Sequence, residues 1–113
     1  MNCKTITYPT FERELKRLAK KYRSIKADYK KLLEELQQSP LAGADLGRGL
    51  RKVRMSIAAK GKGKSGGARV ITLILAYSEE ESEIGLLYIY DKSERETLTD
   101  AELTELLQRN GII

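Results

Sequence analysis

The chain has 113 residues, of which 41% are hydrophobic and 33% are charged, and its formal net charge is +5. This length and composition predict a single folded domain over residues 1–113 and exclude a disordered tail. No stretch approaches the roughly 20 apolar residues of a membrane span, and no secretory signal precedes the fold, so we expect a cytoplasmic protein. Cys3 is the single cysteine and there is no histidine. An internal disulfide is excluded, and neither a metal site nor a cofactor is expected.

The first part of the sequence predicts one strand followed by two helices. Residues 3–8 favour a short strand, and Pro9 then opens a helix for which Thr10 is the expected N-cap. Ser24 is the expected N-cap of a second helix that runs to about Gln38. Both segments have apolar residues at helical spacing, and almost no loop separates them, so they predict a helical hairpin.

The second part predicts three strands and a final helix. Residues 39–49 are expected to be irregular, and residues 79–83 to form an acidic turn. The predicted strands span residues 50–58, 70–77 and 84–90. In the last of them, alternation puts Tyr88 and Tyr90 on one face, and Leu87 and Ile89 on the other. Short loops between the strands indicate antiparallel pairing.

A capping box predicts the last helix. Thr99 precedes Glu102 by three residues, and Gly111 is a natural helix end. The resulting order is β-α-α-β-β-β-α. We therefore expect an α+β fold in which the N-terminal helical hairpin packs on a small, mainly antiparallel sheet.

The charges are unevenly distributed along the chain. Residues 46–78 contain eight basic residues and no acidic one, whereas residues 79–105 contain ten acidic residues against Lys92 and Arg95. A cationic middle segment favours a polyanion as partner, although basic runs in proteins are usually only solvated surface.

Lys52 and Arg54 carry the sharper signal within this segment. Two residues apart on a strand, their side chains point the same way about 6.6 Å apart, which is comparable to the spacing of successive phosphates. An exposed strand face that only interacts with water is an equally good interpretation of the same alternation.

The glycine-rich loop 60–67 has three lysines between its glycines, and Arg69 follows it. It is not a Walker motif, because Ala58 stands where that motif needs a glycine and because a strand, not a helix, follows. Close backbone approach beside cations suits the phosphate chain of a nucleic acid.

Three segments carry a recognisable pattern: Gly-Leu-Arg-Lys-Val-Arg at 49–54, the glycine-rich loop with Ala-Arg-Val-Ile at 60–71, and Leu-Leu-Tyr-Ile-Tyr-Asp-Lys-Ser-Glu at 86–94. They resemble the HigB branch of the RelE/ParE toxin superfamily, over roughly Phe11 to Leu107. The resemblance implies a compact RelE-like fold, which agrees with the order of elements derived above. It also implies a ribosome-dependent, metal-independent messenger-RNA endonuclease that arrests growth.

The resemblance assigns roles to individual residues. It places Lys52 and Arg54 on the basic strand of the family, Arg69 at the start of the next strand, and Lys92 after the last one. The expected catalytic residues are Lys52, Arg54, Arg69, Tyr90 and Lys92. The expected RNA-binding residues are Arg48, Arg51, Lys60, Lys62 and Lys64. Without histidine the proton-transfer group stays open: the candidates are Lys52, Lys62 and Lys64, with Tyr90 and Asp91 as weaker alternatives.

The implied partners are the ribosome, messenger RNA and a cognate antitoxin, a small helix-turn-helix protein encoded by the adjacent gene. The toxin alone is expected to be a monomer, and no membrane partner is expected. A non-catalytic protein is the alternative, either a gyrase inhibitor like ParE or an RNA-binding module, because one fold supports several targets.

Overall fold

The computed structural model describes residues 2–113, in which a five-stranded sheet has helices on both faces. In chain order the elements are β1 (Asn2–Thr7), α1 (Pro9–Lys21), α2 (Ile25–Gln38), β2 (Ala44–Gly47), β3 (Leu50–Met55), β4 (Ala68–Tyr77), β5 (Glu81–Asp91) and α3 (Asp100–Arg109). A short 3-10 turn, Ala58–Lys60, follows β3. The α+β class, the helical hairpin and the mainly antiparallel sheet are confirmed.

The strands lie in the order β1-β5-β4-β3-β2, so β4 is central. β1 pairs with β5 in parallel, and every other pairing is antiparallel. The register matters for function, because Arg54 of β3 lies opposite Arg69 of β4, and Arg69 lies opposite Tyr90 of β5. Three residues that are distant in sequence thereby become neighbours.

Each face of the sheet has its own apolar cluster. On one face, α1 and α2 pack against Val53, Met55, Val70, Leu86 and Ile89. On the other face, α3 packs against Leu50, Ile71, Leu73, Leu87 and Tyr90. Because side chains alternate along a strand, Lys52 and Arg54 lie on the α3 side of β3. Arg54 is nevertheless exposed, so α3 leaves this end of the sheet uncovered.

The prediction that residues 39–49 are irregular was wrong, because Ala44–Gly47 forms the edge strand β2. Its antiparallel pairing with β3 closes through Arg48 and Gly49, whose φ angles are +57° and +79°. A two-residue type I′ hairpin turn requires such positive φ values at both central positions. The observed order therefore has one strand more than predicted.

Thr10 is not the N-cap of α1, because the helix already begins at Pro9 and Tyr8 is the N-cap. Proline at the first helical position has a suitable φ, and its missing N–H is not needed there. Thr10 is instead buried, and its hydroxyl donates to the Leu87 carbonyl at 2.5 Å. The capping box of α3 at Thr99 is confirmed.

Two details of β5 also differ from prediction. The strand begins at Glu81, within the expected acidic turn, because Glu81 pairs with β1. A bulge then changes the alternation: Ile71 pairs with Tyr88 but Thr72 pairs with Leu86, which leaves Leu87 as the extra residue. Leu87 therefore packs in the cluster on the α3 side and not beside Ile89.

Candidate nucleic-acid interface

An open cleft of about 650 Å³ lies where α3 leaves the sheet uncovered. Five basic residues line it, and we call it the basic cleft: Lys52, Arg54, Lys64, Arg69 and Lys92. Two carboxylates, Glu35 and Glu96, line it as well. Four of the five residues predicted as catalytic are thus brought together, joined by Lys64 from the glycine-rich loop.

Two glycines allow the backbone segments around the cleft to approach one another closely. A Cβ on Gly43 would lie 2.3 Å from the carbonyl oxygen of Lys52, and the φ of Gly43 is +94°. A Cβ on Gly67 would lie 2.2 Å from the carbonyl oxygen of Met55. Any other residue would push these segments away from β3, so the two glycines fix the walls of the cleft.

Arg69 is a buried cation whose partners are all neutral. Its side chain is only 4% exposed, and its guanidinium donates to the carbonyls of Lys64 at 2.9 Å, Ser65 at 3.2 Å and Ala68 at 3.2 Å. No acidic side chain within residues 2–113 forms an ion pair with it. Burial, and then the adjacent Arg54, lower the pKa of Arg69. Its positive charge is therefore uncompensated inside the protein.

The other cations of the cleft differ in how they are paired. Lys52, Arg54 and Lys92 form no ion pair with any acidic group in the described part of the chain. Lys64 does, since its ammonium lies 3.0 Å from the Glu35 carboxylate of α2. The cleft thus presents unpaired positive charge from β3, β4 and the segment after β5, which favours an anionic ligand.

Tyr90 lies beside this site and not in it. It faces Arg69 across the sheet, but it is 2% exposed, packs with α3 and does not line the cleft. Its hydroxyl has no hydrogen-bond partner within the described residues. Burial raises the pKa of Tyr90, although Arg69 opposes part of the shift, so the phenol stays protonated near neutral pH.

Residues 10–111 match the family model of the RelE toxin of the RelE/RelB toxin–antitoxin system. The chain belongs to the RelE toxin family. It is accordingly the toxin of a toxin–antitoxin system, and the family implies a cognate antitoxin as its partner. The HigB branch stays a prediction, because the match is to RelE as a whole. No curated protein matches the chain.

Besides Lys64, which pairs with Glu35, three of the toxin's predicted RNA-binding residues contact the protein itself. The Arg48 guanidinium donates to the Thr104 hydroxyl at 2.7 Å, and that of Arg51 donates to the Gly43 carbonyl at 2.8 Å. Lys60 pairs with Asp91, as described below. Lys62 differs from all three, because it is exposed on the glycine-rich loop and lies outside the basic cleft.

Asp91 is the centre of a second, separate cluster of charges in the toxin. It is fully buried, and its carboxylate lies 2.7 Å from the Lys60 ammonium and accepts a hydrogen bond from the Tyr22 hydroxyl at 2.5 Å. Burial alone would raise the pKa of Asp91, but the hydrogen bonds from Lys60, Tyr22 and Ser93 outweigh it and hold this pKa well below its usual range. A carboxylate held in this way is a poor proton acceptor.

Sequence reasoning missed both carboxylates of the cleft. Glu35 belongs to a helix whose charged residues all look alike in sequence, and only the tertiary fold brings it to Lys64. Glu96 gave only a weak signal, since it lies four residues after Lys92 in the segment between β5 and α3. Within residues 2–113, no group of three or more acidic or cysteine side chains is placed to hold a metal ion, and no helix is long and apolar enough to cross a membrane.

Proposed function

We propose that this toxin is an endoribonuclease that cleaves messenger RNA on the ribosome, and that the basic cleft binds the scissile phosphodiester. The observation that carries the proposal is Arg69, a buried guanidinium without an acidic partner beside the exposed Arg54. Burying a charge is unfavourable unless it is paired, so a cation left unpaired is best explained by an anion that binds there.

The chemistry needs charge in this position. In metal-free RNA cleavage, the 2′-hydroxyl attacks the adjacent phosphorus and negative charge accumulates on the phosphorane oxygens. Arg54 and Arg69 would stabilise that charge, and one such pre-oriented donor is typically worth about 10²–10³ in rate. Three carbonyls already hold the Arg69 guanidinium, so little reorganisation is needed when charge develops.

The cleft is open, and its groups supply charge but do not enclose an RNA strand. Dependence on the ribosome follows if the decoding site bends the message for in-line attack. Lys62 and the exposed basic residues of the helical hairpin would then bind ribosomal RNA. The exposed basic residues of the helical hairpin include Arg13, Lys16, Lys20, Lys26 and Lys30.

The antitoxin would silence the toxin by covering the basic cleft. We expect it to be a small helix-turn-helix protein encoded by the adjacent gene, with an acidic segment that complements the unpaired cations. The toxin alone would be a monomer in the cytoplasm.

The decisive experiment is induction of the toxin with and without the neighbouring gene, followed by mapping of transcript 5′ ends. We expect growth arrest and codon-phased cuts within translated messages, both relieved by the antitoxin. Arg54→Ala should abolish the cuts, whereas Arg109→Ala, which removes an exposed arginine of α3 outside the basic cleft, should not. Growth arrest without any cut would contradict the proposal and favour a gyrase inhibitor.

A further inference from the structure

RNA cleavage in the basic cleft requires a group that accepts the proton of the 2′-hydroxyl. Asp91 is enclosed by Lys60 and Tyr22, Lys64 is paired with Glu35, and Tyr90 is buried with a raised pKa. Of the candidates named from the sequence, Lys52 alone remains both unpaired and in the cleft.

Glu96 also lies in the cleft and is better suited to accept a proton. It belongs to the segment between β5 and α3, is exposed, and has no ion pair or hydrogen bond with residues 2–113. The two residues before it are fixed: Glu94 pairs with Arg17 at 2.7 Å, and Arg95 pairs with Glu102 at 2.6 Å. These contacts attach the start of the segment to α1 and to α3, and the Glu96 carboxylate that follows them is left free.

We propose that Glu96 is the general base of the cleavage reaction, an inference that rests on the proposed function. The Glu96 carboxylate takes the proton of the 2′-hydroxyl, and the 2′ oxygen forms a bond to the adjacent phosphorus. The bond between phosphorus and the 5′ oxygen breaks, and that oxygen takes a proton from a cleft ammonium group, Lys52 or Lys92. The products are a 2′,3′-cyclic phosphate and a 5′-hydroxyl, and solvent returns the proton from Glu96 to the lysine.

The general chemistry of the two side-chain types favours a carboxylate over a lysine as the base at neutral pH. A carboxylate is already deprotonated there, whereas only about one in a few thousand ordinary lysine side chains is. The lysines of the cleft are therefore suited to donate a proton and Glu96 to accept one. The other charged groups that line the same cleft are Lys52, Arg54, Lys64, Arg69, Lys92 and Glu35.

The test is the pH dependence of single-turnover cleavage on saturating programmed ribosomes, between about pH 6 and pH 8.5. The wild-type rate should be nearly constant over this range, as expected when a carboxylate rather than an ammonium group accepts the proton. Glu96→Gln should lower the rate at neutral pH about 10²–10⁴-fold. Its remaining rate should rise about tenfold per pH unit, because hydroxide then has to remove the proton.

Two further variants separate a base from a structural residue. Glu96→Asp keeps the carboxylate and should restore part of the rate with a flat profile. Glu35→Gln removes the paired carboxylate of the cleft and should keep the flat profile. Thermal melts should show that all three variants fold, since both side chains lie outside the apolar clusters.

Three results would overturn the assignment. A wild-type rate that rises tenfold per pH unit would indicate Lys52 as the base, and a Glu96→Gln rate equal to wild type would show that Glu96 is not needed. A slow Glu96→Gln variant whose rate does not change with pH would indicate that Glu96 only positions other groups. The failure of the proposed function looks different, because wild-type toxin would then cut no message on any ribosome. That result would overturn the general base as well.

Discussion

Two regions of this toxin hold a largely enclosed cation, and they do so in opposite ways. Lys60 is paired with the fully buried carboxylate of Asp91, which also accepts a hydrogen bond from Tyr22. Arg69 is more deeply buried than Lys60, but its partners are neutral carbonyls. Removing one member of a charge pair inside the protein is strongly destabilising because the other is left unpaired, whereas an uncompensated charge is available to an external anion. Whether a basic residue is structural or functional therefore depends on its partners and not on its position along the chain.

Replacing each buried cation with methionine should give the largest difference between the two regions. Lys60→Met leaves the Asp91 carboxylate buried without its closest cation and should lower the free energy of unfolding by about 3 kcal/mol. Arg69→Met loses hydrogen bonds but also removes a buried unpaired charge. The free energy of unfolding should therefore fall by less than about 1.5 kcal/mol.

Urea denaturation of the two methionine variants beside wild type measures both values. Equal losses of stability in the two variants would contradict the distinction between a structural and a functional cation.

Which basic residues are paired inside the protein could not be predicted from the sequence, for physical reasons. Period-two alternation correctly put Lys52 and Arg54 on one face of a strand, because that depends only on local backbone geometry. The pairing of Lys60 with Asp91 joins residues 31 apart in sequence, and no local pattern encodes it. The sequence shows only that Arg69 follows the glycine-rich loop, and its burial arises because that loop folds back over it.

The missed elements have equally specific causes. β2 is only four residues long and contains a single half-buried residue, Leu46, so it has no apolar alternation to detect. The bulge at Leu87 depends on pairing with β4 and leaves no trace in β5 alone. By contrast the helices and the cap at Thr99 were predictable, because their signals are local.

Arg54→Lys should show whether charge or guanidinium geometry matters more at this functional position. Lysine keeps the charge but loses the planar fork that holds two phosphate oxygens at once. Loss of one charge-assisted hydrogen bond corresponds to about a tenfold lower cleavage rate at saturating ribosomes. A lysine variant as inactive as Arg54→Ala would mean that geometry, and not charge, dominates at this position.

The charge cluster around Asp91 should also affect how the free energy of unfolding depends on pH in acid. Because the folded-state pKa of Asp91 lies below its unfolded value, the stabilisation is present above the ordinary aspartate pKa of about 4 and is lost as the pH falls below it. Wild type should therefore lose stability in acid more steeply than Asp91→Asn. Denaturation midpoints at a series of acid pH values test this, and identical slopes would contradict the role given to Asp91.

Lys62→Ala should have the smallest effect. Lys62 lies outside the basic cleft and is proposed to contact a phosphate of ribosomal RNA. The variant should therefore bind ribosomes more weakly, and the dependence of its binding constant on salt concentration should be shallower by slightly less than about one unit. Cleavage at saturating ribosomes should be preserved. A rate defect that saturation does not correct would place Lys62 at the reacting phosphate.

The central claim is that the uncompensated charge of Arg54 and Arg69 acts on the scissile phosphate. Its most direct test is the single-turnover cleavage rate of Arg54→Ala and Arg69→Met at saturating programmed ribosomes, with Arg109→Ala as the matched control. The account predicts a loss of about 10²–10³-fold for each cleft variant and a wild-type rate for the control. Wild-type cleavage by folded Arg54→Ala and Arg69→Met proteins would contradict it.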